Sequence, residues 1–65
     1  MIAAQIKKNI KQELKQRNKS ISDLCSTLGV NINYISQITD GTSIAKLQRI
    51  ATAIGCSLTD ILKDI

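Results

Sequence analysis

Ile32, Asn33, Ser36 and Gln37 are the residues whose types and spacing point to a specific chemistry. On a helix at roughly 100° per residue they share one arc, roughly opposite Ile35 and Ile38. Asn and Gln each carry a donor beside an acceptor, the pattern that pairs with the N6/N7 edge of adenine. Ile32 on the same arc is placed to touch a thymine methyl. The chemistry is recognition of base edges, with no bond made or broken. Ordinary surface polarity accounts for Asn33, Ser36 and Gln37 equally well, and the neighbouring Ile32 tips the arc toward a binding face.

Catalysis finds few residues to carry it. The 65 residues include no His, which removes the commonest general base and metal ligand. Paired carboxylates in a plausible pocket, a nucleophile with its base, and phosphate-loop glycines are all missing from the pattern. No catalytic residue, metal, cofactor or small-molecule substrate is therefore expected. Cys25 and Cys56 lie far apart on apolar stretches and read as buried free thiols, a usage that fits a reducing cytoplasm. No signal-like apolar region opens the chain and no run is long enough to span a membrane, so a cytoplasmic location without a membrane partner is expected. The chain starts at Met1 and reads as a complete small intracellular protein, a single domain over residues 1–65.

The recognition arc needs elements that hold it outward. Ser22 to Leu28 and Asn31 to Thr39 are two short helical patterns joined through Gly29 and Val30. Leu24 and Leu28 lie on one face of the first, with Ser20 as its N-cap and Asp23 as capping-box partner. Gly29 suits the left-handed residue that ends a helix, and Val30 plugs the corner. Asn31 caps the next helix, Ile35 and Ile38 face inward, and Asp40-Gly41 stops it. A helix that ends at a glycine and restarts within a few residues is a helix-turn-helix, whose second helix enters the DNA major groove.

Three more helices complete the pattern. Ala3 to Gln16 has Ile2, Ile6, Ile10 and Leu14 as a buried stripe, with Lys7, Lys11 and Lys15 exposed beside it. Ser43 caps a helix running to Ile54, with Ile44, Leu47, Ile50, Ala51 and Ile54 as its core face and Gly55 at its end. Ser57, with Asp60, caps a last short helix. With twelve Ile, one aromatic residue and no Pro, the expected architecture is all-α, five helices around an aliphatic core. The last helix carries Leu58, Ile61, Leu62 and Ile65, more apolar side chains than one face of it buries, which points to a homodimer interface. The net charge of +4 attracts polyanions, and Lys7, Lys8, Lys11, Lys15, Arg17 and Lys19 carry six of its nine basic residues.

These residues resemble the Cro- and phage-repressor-type helix-turn-helix proteins, the Xre family. The resemblance runs over about residues 6–62. It is carried by S-x-x-D-L-C-x-x-L-G-V at 20–30, N-x-N-Y-I-S-Q-I-x-D-G at 31–41 and L-Q-R-I-A-x-A-I-G-C-S-L-x-D-I-L at 47–62. It implies a compact five-helix, lambda-repressor-like domain that binds double-stranded DNA as a homodimer on a palindromic operator and regulates transcription as a repressor. Base reading is implied at Ile32, Asn33, Ser36 and Gln37. Phosphate contacts are implied at Ser20, Ser22, Asn31, Tyr34, Ser43 and Lys46. Three departures from the family pattern stand out: Ile21 replaces a common Gln, the link after residue 39 is short, and the recognition segment has no Arg or Lys. These departures frame an alternative, a protein-interaction module (an antitoxin-like or antirepressor partner) that keeps the fold without specific DNA binding.

Overall fold

The computed structural model describes residues 2–64. Its helices are α1 (Ile2–Gln16), α2 (Ile21–Leu28), α3 (Ile44–Ile54) and α4 (Leu58–Ile61), and a single 3-10 turn at Ile32–Tyr34 lies between α2 and α3. No strand occurs among the described residues. The expected helix over residues 31–39 is replaced by this 3-10 turn and the turns that follow it, so the described residues form four α-helices rather than five.

Local hydrogen bonds explain the replacement. Residues 31–41 contain one strong helix former, Gln37, among Asn, Ile, Ser and Thr. Asn31 Oδ1 accepts from the Asn33 N–H at 2.9 Å, and the Ser36 hydroxyl donates to the Asn33 carbonyl at 2.8 Å. The Asn31 bond is that of an N-cap, whereas the Ser36 bond competes with the helical ladder. The backbone still winds in the helical sense. Tyr34 N–H donates to Asn31 O and Ile38 N–H to Ile35 O, three residues back, while Gln37 N–H donates to Asn33 O, four back.

One aliphatic core joins all four helices. Ile6, Ile10 and Leu14 of α1 meet Leu24, Ile35, Ile38, Ile50, Ile54 and Ile61 there. Two expected members are absent from it. Ile2 is 46% exposed, and Ala3 takes the inward place at that end of α1. Ile44, in the first turn of α3, is 58% exposed, and the inward face begins at Leu47. Each lies at the first residue of its helix, beyond the reach of the elements that cover the rest of the stripe.

The caps follow the expected chemistry. Gly29 and Gly55 end α2 and α3 in the left-handed conformation at φ 71° and 94°. Ser20 with Asp23, and Ser57 with Asp60, form complete capping boxes. In each, the carboxylate accepts from the Ser backbone N–H and then from its hydroxyl, which holds both Asp pKa values below the ordinary 3.8. A depressed folded pKa contributes stability above the unfolded value and loses it as the pH falls through the folded one. An Asp23→Asn/Asp60→Asn variant, melted between about pH 5 and pH 2, is therefore expected to lose melting temperature less steeply than the parent, with the widest gap between the two above about pH 4. Parallel pH profiles would rule out the two carboxylates as acid-sensitive caps.

Candidate nucleic-acid interface

The corner that presents the recognition segment is built from α2 outward. Val30 N–H donates to Cys25 O at 3.0 Å, closing the end of α2 around Gly29. Val30 and Leu28 then pack half-buried against the core, and Asn31 restarts the chain as an N-cap. Ile35 and Ile38 anchor the following segment in the core.

Ile32, Asn33, Ser36 and Gln37 are all exposed, with Ile32 at 58%. The tighter winding at Ile32–Tyr34 advances the chain by about 120° and 2.0 Å per residue there, against 100° and 1.5 Å in an α-helix. The four side chains thus spread over a wider arc than a regular helix gives them.

The phosphate candidates divide into two groups. At α3, Ser43 Oγ accepts from the Lys46 N–H at 3.2 Å, and Lys46 Nζ stands 4.3 Å from the centroid of the Tyr34 ring. The cation over the ring face ties this helix end to the recognition segment. No acidic residue occupies the first turn of α3, so its N-terminus keeps its attraction for anions. At α2 the situation differs. The Ser20 hydroxyl is spent on Asp23 at 3.1 Å, and the Asp23 carboxylate already sits on the helix N-terminus. Ser22 and Asn31 are exposed, but the Asn31 side-chain oxygen is engaged by Asn33.

The expected interface helix is corrected at one residue. Ile61 is fully buried in the chain's own core and has no surface to give a second copy. Leu58 and Leu62 are half-buried against the same core, and Ile65 lies outside the described residues.

Two polar residues acquire roles that spacing did not disclose. Asp40 Oδ1 accepts from the Ala3 N–H at 2.8 Å, so the residue expected only to stop the recognition segment also caps α1 from across the fold. Asn9 is 3% exposed and donates to the carbonyls of Ile61 and Lys63. Cys25 is buried as expected, whereas Cys56 is half-buried. The ligand atoms of Glu13, Cys56 and Asp60 come within 4.8 Å of one another, a proximity invisible in the linear spacing. Glu13 is paired with Arg17 at 3.3 Å and Asp60 is held by its capping box. Burial, and then the Glu13 charge, raise the Cys56 pKa and keep the thiol protonated.

A glycine corner that leads from α2 into a 3-10-wound, exposed polar segment anchored by Ile35 and Ile38 is the arrangement of a helix-turn-helix unit. A family model of the Cro/C1-type helix-turn-helix DNA-binding domain matches residues 9–65, nearly the whole chain. The chain belongs to that family, and its partner class is double-stranded DNA. Comparison with curated proteins and with solved structures gave no match. Among the described residues no helix is long and apolar enough to cross a membrane.

Proposed function

We propose that this protein is a sequence-specific transcriptional repressor that binds a palindromic operator as a homodimer. The observation that carries the reading is the exposed Ile32–Gln37 segment, held outward by the buried Ile35 and Ile38. Asn33 and Gln37 read adenine edges, Ile32 contacts a thymine methyl, and the Ser36 hydroxyl bonds either a donor or an acceptor on a base edge. Ser43, Lys46 and Tyr34 at the start of α3 hold the adjacent phosphates. Ser20, Ser22 and Asn31 contribute less, because Asp23 already occupies the N-terminus of α2.

Size supports two copies. Successive major grooves on one face of the duplex are about 34 Å apart, and the longest extent of the domain is 25 Å. One copy reads a single groove. Residues 31–37, at about 1.5–2.0 Å per residue, cover only about three or four base pairs. A two-fold pair doubles the site and makes it palindromic. Leu58, Leu62 and Ile65 supply the apolar contact between copies. Repression then follows by occlusion of polymerase, in the cytoplasm, with no chemistry.

Selection of bound oligonucleotides from a random duplex pool tests the whole reading. The expected product is an A·T-containing palindrome with half-sites about one helical turn, or about 10 base pairs, apart. Recovery of no motif, with binding indifferent to salt, favours the protein-interaction module instead.

A further inference from the structure

In the linear sequence the lysines of α1 are an exposed basic stripe that attracts polyanions, with no neighbouring element assigned to it. The fold sets it next to the recognition segment. A hollow of about 130 Å³ is lined by Lys7 and Lys11 of α1, Ile21 of α2, and Ile32, Ile35 and Ser36. A second, more open hollow of about 430 Å³ runs along Lys7, Lys8, Lys11 and Lys15. Lys7 also borders the loop at Thr39, Asp40 and Gly41. The bond from the Ala3 N–H to Asp40 fixes this end of α1 against that loop.

We infer that Lys7 and Lys11, continued by Lys15, form a second phosphate-binding rail for the same DNA duplex whose bases meet residues 32–37. Three observations select that occupant. The rail is continuous with the recognition segment, since Lys7 and Lys11 share a hollow with Ile32 and Ser36. Its charge has one sign, with no acidic residue lining either of the two hollows that the lysines share. Its lysines recur every four residues, about 6 Å along the helix, a repeat suited to a linear array of anions. The rail also supplies what the recognition segment lacks. That segment has no Arg or Lys, so the sequence-independent part of DNA affinity must come from cations on neighbouring elements. Ile21, where the family commonly has a phosphate-holding Gln, lies in the same hollow, and the lysines offset that absence.

This inference rests on the DNA-binding reading, and the test separates the two. Binding of the full chain to a labelled duplex of mixed sequence is measured between about 50 and 200 mM salt. Every phosphate that a side chain no longer neutralises reduces the log–log salt slope by about 0.9. Lys7→Gln/Lys11→Gln is expected to bind more weakly and to lower the slope by about 1.8 per bound copy. Lys11→Gln alone is expected to lower it by about 0.9 per bound copy, and this single exposed change guards against a folding defect in the pair. Lys63→Gln is the charge-matched control. The Lys63 carbonyl is bonded to Asn9, about 160° around α1 from Lys7 and Lys11, and its slope is expected to stay within error of the parent. An unchanged slope in the α1 variants, or an equal drop in Lys63→Gln, overturns the rail while leaving DNA binding intact. A parent chain that shows no salt-dependent binding overturns both readings.

Discussion

An Asn33→Ala/Gln37→Ala variant is expected to lose about 2–6 kcal/mol per half-site, a factor of at least about 30 for each, in affinity for the selected duplex. On mixed-sequence DNA it is expected to bind about as the parent does. The magnitude follows from two bidentate contacts at about 1–3 kcal/mol each. Both side chains are exposed, and neither contributes a side-chain atom to the hydrogen bonds of the segment. The backbone bonds that shape the turn use the Asn33 N–H and carbonyl, which alanine retains. Folding should therefore stay within about 0.5 kcal/mol of the parent. Competition binding at one fixed salt concentration measures both DNAs together. An equal loss on the two would falsify base reading by this pair and move the residues to the nonspecific contacts.

The parts of this fold that were legible in the sequence are those written by local rules. Capping boxes at Ser20 and Ser57, left-handed glycines at 29 and 55, and the inward Ile35 and Ile38 depend on neighbours within four residues, and each appears in the structure. The span of α3 was legible for the same reason, with Ser43 before it and Gly55 after it. The helical form of residues 31–39 was not. Apolar spacing there favours a helix, but the segment is poor in helix formers and the Ser36 hydroxyl bonds the Asn33 carbonyl, a competition that periodicity does not register. Burial at helix ends failed in the same way. Ile2 and Ile44 fit their stripes, yet a stripe continues in sequence past the point where neighbouring elements stop covering it.

The candidate site divides along the same line. Exposure of Ile32, Asn33, Ser36 and Gln37 could be read from a wheel because Ile35 and Ile38 fix the opposite side. Asp40 on α1, Lys46 over Tyr34, and Lys7 beside Ile32 join residues far apart in the chain, and only the assembled fold brings them together. The same holds for Ile61. Its place in an apolar excess pointed to an interface, but α1 and α3 leave a core position that only α4 can fill.

Asn9→Ala is expected to destabilise the domain by about 1–3 kcal/mol, since it leaves a buried acceptor without its partner. Asn9 lies among the aliphatic residues of α1, and its amide donates to Ile61 O at 2.8 Å and to Lys63 O at 2.7 Å. Its own oxygen accepts from Gln5 at 2.9 Å, so every part of the buried amide is used. The receiving carbonyls are those of Ile61, the last residue of α4, and of Lys63 just past it, where no further turn of helix exists to satisfy them. A helix of four residues has almost no stability of its own and depends on such docking. Against a total of about 3–10 kcal/mol for a domain of this length, the loss is large, and it should lower the melting temperature by about 4–8 °C per kcal/mol. Asn9→Leu separates hydrogen bonding from packing. Leucine restores apolar volume but offers no donor, so it is expected to melt well below the parent. A leucine variant as stable as the parent would show that α4 is held by Ile61 and its neighbours alone. Because Asn9 faces away from Lys7 and Lys11, DNA affinity below the melting transition is expected to be unchanged, which separates the clasp on α4 from the binding surface on the other side of α1.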